Sequence, residues 1–224
     1  MRKVSQSSQS LEEAAQNIVQ FIYQSFTDRR GPQCALVRFY RTEAYGELPA
    51  DLKHFAKARL KGLEPDMYMR SLVLLATAGE VAEWNDRRLS AGHKAIPLPS
   101  VEIVEQAPMV AQLIREVGFE LSDVVKPPIG MMQDQEGKSY NVFHVEEAVG
   151  SPFIPAQEEF VIPFGIKSVV GFGGLMTSGE FFAVIVFAKT HIPHDSAIRF
   201  RNVALEVKAA LFGLAGVPVF VGES

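Results

Sequence analysis

Residues 159–214 read EFVIPFGI, KSVVGFGGLM, TSGE, FFAVIVFAK and THIPHDSAIRFRNVALEVKAALFGL. The order is an apolar run, a glycine-interrupted strand, a four-residue polar turn (Thr177-Ser178-Gly179-Glu180), a second strand and a proline-introduced helix. Lys167 to Met176 is rich in Val, Gly and Phe, and Phe181 to Lys189 is almost entirely β-branched or aromatic, the composition of buried strands. A short polar turn between such segments predicts an antiparallel hairpin. After His191-Ile192-Pro193 the period changes: Phe200, Val203, Val207, Leu211 and Leu214 recur at spacings of three and four. This is an amphipathic helix, with Asp195 or Ser196 expected as its cap.

Working outward, Ser10-Leu11-Glu12-Glu13 has the pattern of a capping box and predicts a helix from about Leu11. Leu11, Ala15, Ile18, Ile22 and Phe26 supply its apolar stripe, and the turn residues from Asp28 to Pro32 end it. Cys34 to Arg41 reads as a strand, with Ala35, Val37 and Phe39 on one face and Leu36, Arg38 and Tyr40 on the other. Pro49 to Leu60 suits a short helix and Ser71 to Thr77 a second strand. Glu83 to Pro99 carries Trp84, Asn85, Arg87, Arg88, His93 and two prolines without a clean period, and reads as a long loop with a turn of helix. Ser100 to Val117 is helical in character, but Pro108 predicts a kink or two short helices. Ser122 to Lys138 has the composition of a surface excursion. Tyr140 to Val145 returns to strand-like alternation.

Composition narrows the functional classes. A chain of 224 residues with 47% hydrophobic content can bury one substantial core. A net charge of −4 without a continuous basic stripe argues against nucleic acid or anionic lipid as partner. One cysteine, Cys34, cannot form an internal disulfide or a cysteine zinc cluster. The polar, serine-rich start lacks the apolar core of a signal peptide, and no apolar run reaches the ~20 residues of a membrane span. The expectation is a cytoplasmic protein with residues 1–10 as a disordered tail, 11–214 as one α+β domain, and 215–224 as a second tail.

Three segments carry a resemblance: Tyr140-Asn141-Val142-Phe143-His144-Val145, then Gly150-Ser151-Pro152, then Phe164-Gly165-Ile166-Lys167-Ser168-Val169 leading into the hairpin and helix. Together they look like a GAF domain. Asn141 to Val145, Ile154 to Val161 and Gly171 to Gly174 make the chain similar, more narrowly, to GAF-like sensor domains placed ahead of bacterial signalling modules such as histidine kinases. The resemblance implies a GAF/PAS-like central antiparallel sheet of about six strands with helices on either side. It also implies a ligand cleft between sheet and loops on one face, and homodimerisation through the first and last helices. Under it Asn141, Phe143, His144, Gln157, Glu158, Phe160, Phe164 and Phe172 are the expected ligand-binding residues, the ligand or cofactor being unknown. Tyr140, Phe153 and Trp84 extend the aromatic set.

The chain departs from known branches of that family. Cys34 has no histidine neighbour of the kind a bilin site carries, a methionine-sulfoxide reductase needs more than one cysteine, and the cyclic-nucleotide signature cannot be placed. Catalysis is not expected. The glycines from Gly171 to Gly174 lie within a strand, not before a helix, so they mark a bulge or a place where packing or a ligand approaches the backbone closely, and not a phosphate loop. Ser151 lacks a strained nucleophile turn. His144 is either a pocket hydrogen-bonder or haem or metal ligand, or a histidine satisfied by backbone at a strand end; without a spaced partner, the second is favoured. The expected function is a small-molecule-sensing regulatory domain, with a ligand-free dimerisation or docking module as the alternative.

Overall fold

The computed structural model of the chain describes residues 8–29, 31–127, 141–176, 178–214 and 216–222. Tyr140, Thr177, residues 1–7 and residues 128–138 of the expected excursion lie outside the described residues. One antiparallel sheet organises the fold. Its strands are β1 (Cys34–Ala44), β2 (Arg70–Gly79), β3 (Ala95–Leu98), β4 (Val142–Val145), β5 (Ser168–Leu175) and β6 (Phe181–Ala188), in the spatial order β3-β2-β1-β6-β5-β4. The hairpin of residues 168–188 is formed as the composition predicts, with Leu175 opposite Phe181 and Ser168 opposite Ala188. Its second strand pairs with β1, so the last and first strands meet at the sheet centre.

Helices cover both faces. On one lie α1 (Leu11–Ser25), α2 (Ala50–Arg59) and, after the single turn α6 (His194–Ala197), α7 (Phe200–Phe212); on the other lie α3 (Val101–Glu105), α4 (Pro108–Val117) and α5 (Leu121–Val125). Two cores result. Val37, Phe39, Phe172, Phe182 and Val184 face α1 and α7, whereas Leu36, Tyr40, Phe143, Ala183 and Ile185 face α4 and α5. The α+β architecture expected from the GAF resemblance, a central antiparallel sheet flanked by helices in one unit with loop insertions, is the one observed.

Several local expectations are corrected. Ala35 packs with Leu36 and Tyr40, not with Val37 and Phe39, because the pairing with β6 slips between Cys34 and Leu36 and breaks strict alternation there. Ser10 Oγ accepts from the Glu13 N–H at 3.1 Å, but the Glu13 carboxylate reaches back to Gln9 N–H (2.7 Å), one residue earlier than a capping box requires. Neither Asp195 nor Ser196 caps the last helix: α6 starts at His194 behind Pro193, and α7 follows without a side-chain cap. The region read as loop contains β3, an edge strand in which Pro97 sits opposite Ser71; at an edge the missing proline N–H costs no ladder bond. Ser122 to Val125 belongs to α5, whose Leu121, Val124 and Val125 are buried. Pro108 opens α4 at its first turn, so α3 and α4 are separate helices.

The segment after Leu214 folds back along the start of α1. Leu11 and Glu12 N–H groups donate to the carbonyls of Pro218 and Val219 (3.0 and 2.8 Å), and Phe220 is buried in the core beneath α1. Two of the amides that a helix N-terminus leaves unpaired are thereby satisfied.

Candidate functional site

A cavity of about 620 Å³ lies over the sheet on the α4 side. Leu36, Arg38 and Tyr40 of β1, which strand alternation places on one face, form its floor with Leu72 of β2 and with Ile185 and Phe187 of β6. Arg38 stands directly opposite Ile185, and Leu36 opposite Phe187. Met109, Val110 and Leu113 of α4 roof it. The segment from Trp84 to His93 and the segment from Ile154 to Phe160 close its sides. Most of the lining is therefore aliphatic or aromatic, with a few polar groups converging on it, the usual character of a small-molecule site.

Local chemistry fixes the wall at Trp84. Asn85 takes the Gly79 N–H on its Oδ1 (3.1 Å) and donates from Nδ2 to the carbonyls of Gly79 and Val81 (2.9 and 3.0 Å), tying the turn to the end of β2. A Cβ at Gly79 would sit 2.9 Å from the Trp84 ring, so only glycine lets the indole lie there. Trp84 then packs edge-on to Phe160 (ring centroids 5.5 Å) and tilted against Phe164 (4.5 Å), and Phe160 in turn meets Phe187 edge-on at 5.0 Å.

The same segment is bolted to the other side of the molecule. Arg87 makes a bidentate pair with Glu12 of α1, Nε to Oε1 at 2.6 Å and Nη2 to Oε2 at 2.9 Å, and its guanidinium lies 5.2 Å from the Phe220 ring. Glu12 Oε2 also accepts the Val221 N–H at 3.0 Å. Arg59 of α2 donates to the Ala91 carbonyl at 3.2 Å. The cavity wall thus has fixed links to α1, α2 and the C-terminal segment.

Inside the cavity the polar groups are incompletely paired. Arg38 Nη1 lies 3.5 Å from Tyr40 Oη, the outer limit of a hydrogen bond, and among the described residues no carboxylate pairs with the guanidinium. Arg38 Nε and Ser90 Oγ are both buried without a hydrogen-bond partner. Burial, reinforced by the charges of Arg38 and Arg59, lowers the His93 pKa to about 4, so this imidazole is neutral at physiological pH. Burial raises the Tyr40 phenol, against the opposing effect of Arg38. Glu83 and Glu159 are exposed and line the mouth.

Of the residues expected at a ligand site, Phe160 lines this cavity and the others stand apart from it. Phe164 supports Trp84 from behind. Phe143 is fully buried beside Phe153 (6.3 Å), filling the core under α4. Phe172 faces the opposite side of the sheet and packs on Phe200 of α7 at 5.5 Å. Asn141 accepts from Arg201 Nη2 at 2.9 Å. His144 Nε2 lies 2.8 Å from the Ile192 carbonyl and its backbone N–H donates to Glu116, so the ring is held by backbone at the strand. Gln157 braces its own loop through Gly150 N–H and the Ala148 and Ile154 carbonyls, and Glu158 is exposed. The displacement has a physical cause. β4, which Asn141 precedes, is the edge strand beyond β5 and away from the cavity floor, so only the distal part of the segment, Ile154 to Phe160, reaches the cavity. Arg38, Ser90 and His93 were missed as site residues. For Arg38 the signal existed: a charged residue between Val37 and Phe39 in an otherwise apolar central strand.

Among the described residues no group of three His, Cys, Asp or Glu side chains could hold a metal ion, and no helix is long and apolar enough to cross a membrane. No protein-family model matches the chain, and no curated protein matches it. Among solved structures, it is similar to the crystal structure of a far-red cyanobacteriochrome photoreceptor at room temperature, with a TM-score of 0.48 and 10% identity over 94% of this chain and 90% of that one.

Proposed function

We propose that this chain is a non-enzymatic, small-molecule-sensing regulatory domain of bacterial signal transduction. Occupancy of the cavity is coupled to the first and last helices and, through them, to a dimer mate or to a signalling module such as a histidine kinase in the cytoplasm. The observation that carries the reading is the pairing of an apolar cavity with a wall segment anchored by Arg87 to Glu12 on α1 and to Phe220 beyond α7. A ligand that presses on Trp84, Leu89 or His93 acts on the segment that holds this anchor, so its differential contact with two positions of the wall would be felt at both ends of the domain. Phe21 of α1 and Leu205 and Phe212 of α7 are 45%, 47% and 61% exposed, and in this proposal they belong to the surface that meets the second copy.

The test combines a ligand screen with a readout at the helices. A thermal-shift screen against small acids, amino acids, nucleotides and haem should find a compound that raises Tm, and hydrogen exchange with that compound should slow amides in α1 and in residues 216–222 as well as around the cavity. Protection confined to the cavity wall would sink the coupling. A silent screen together with a stable dimer in sedimentation would favour the ligand-free docking module.

A further inference from the structure

We infer that the cavity takes a small, mainly apolar molecule bearing a single carboxylate, with the carboxylate at Arg38 and the hydrocarbon body along Leu36, Leu113 and Phe187. This names the ligand class of the site proposed above and rests on that reading. A guanidinium on a central strand, with its Nε buried and no paired anion among the described residues, leaves a positive charge and a donor unsatisfied. Ser90 Oγ, a buried hydroxyl without a partner, lines the same cavity, and Tyr40 Oη is a further donor beside the guanidinium. The guanidinium with the Tyr40 hydroxyl beside it, and the Ser90 hydroxyl on the wall of the same cavity, match the acceptor capacity of one carboxylate, which takes several hydrogen bonds and prefers the planar fork of arginine.

The charge balance sets the number of anionic groups. His93 is neutral, so it contributes a ring nitrogen and no second positive charge, and Glu83 and Glu159 stand at the mouth, where they disfavour a di- or trianion. A phosphate ester brings about two charges to a site with one cation. A cationic ligand would meet Arg38 at the floor. The rest of the lining, Leu72, Ile96, Met109, Val110 and Ile185 among it, offers apolar surface alone, which fits a hydrocarbon or aryl body.

Trp84 is the single tryptophan of the chain and forms part of the cavity wall, so its emission reports occupancy directly. The full chain is titrated with octanoate and with 4-phenylbutanoate, each against its primary amide, and with octylamine. The expected result is saturable change with the acids, binding at least about tenfold tighter than the amides, and no binding of the amine. In Arg38→Met the acid preference should vanish while circular dichroism stays unchanged. If that variant does not fold, Ser90→Ala replaces it and should reduce the acid-to-amide ratio. Amides or the amine binding as well as the acids overturn the carboxylate assignment and leave the cavity standing as a site. An acid preference that survives Arg38→Met, or an acid-to-amide ratio left unchanged by Ser90→Ala in its place, overturns the assignment too. No response to any probe overturns the assignment and the cavity reading together.

Discussion

Arg87 and Glu12, 75 residues apart in sequence, form a two-point ion pair that joins the wall of the cavity to the first helix. Both side chains are largely buried, at 12% and 18% exposure, and Glu12 also holds the Val221 N–H. A bidentate arrangement of this kind is stronger than a surface pair, and removing one partner strands the other charge. Arg87→Ala should therefore destabilise the domain by about 2–3 kcal/mol, and Glu12→Gln by less, since the amide keeps one acceptor. A double-mutant cycle in urea should show coupling of about 1 kcal/mol or more between the sites; additive effects would show that the pair links nothing.

Two titratable groups, the buried Glu43 and the solvent-exposed His93, act on stability in opposite directions over overlapping pH windows. Burial raises the Glu43 carboxyl to about 7 despite its hydrogen-bonded pairing with Arg41, which also reaches Glu180 at 3.0 Å. The folded state therefore holds the Glu43 proton more tightly than the unfolded chain does, and this contribution is present at low pH and lost as pH rises from about 4.5 to 7. His93, lowered to about 4, behaves oppositely: the unfolded chain takes the proton first, and stability is lost as pH falls from about 6.5 to 4. The Glu43 contribution is on the order of 2–3 kcal/mol, and that of the solvent-exposed His93 is smaller because water screens it. Urea melts of the wild type should show a shallow fall of stability between pH 4.5 and 6.5, the Glu43 effect being partly offset by His93. Glu43→Gln should expose a rise of stability with pH in that interval, and His93→Gln a fall. Identical slopes in both variants would refute the assignment.

Gly173 makes the hairpin of residues 168–188 intolerant of any side chain at that point. A Cβ there would lie 2.0 Å from the Phe182 carbonyl oxygen and 3.0 Å from the Ala183 Cα, backbone atoms that cannot rotate away. Gly173→Ala should cost about 3 kcal/mol or more and lower Tm steeply in calorimetry. A variant within about 1 kcal/mol of wild type would mean that the strands pair differently from the register observed.

Cys34 is fully buried, and burial pushes its thiol up to about 12, so neither exposure nor thiolate is available in the native state. An aromatic disulfide reagent at pH 8 should react with less than a tenth of the chains on the minutes scale and stoichiometrically in denaturant. Fast native reaction would show that β1 is accessible at its start.

How far the sequence could be read depended on how local the relevant physics was. The hairpin, the two outer helices and the break at Pro108 follow from period, turn chemistry and proline geometry, each confined to a few neighbouring residues. The strand at Ala95–Leu98 was hidden because four residues with a central proline carry no periodic signal; it exists because β2 offers it an unpaired edge. The site was legible in part. Alternation along β1 correctly put Leu36, Arg38 and Tyr40 on a common face, but nothing local says that this face is incompletely filled above Arg38.

The α+β class, the hairpin with its closing helix, and the amphipathic stripes that cover the sheet are written in the local pattern of residues, because burial of alternating and helical patterns is decided residue by residue along the chain. Tertiary structure alone decided where the hollow lies. It moved from the expected 140–164 segment to the ground between β1, the Trp84–His93 wall and α4, since a cavity is the volume that several distant segments fail to fill, and that shortfall is a property of their packing and of no segment taken singly.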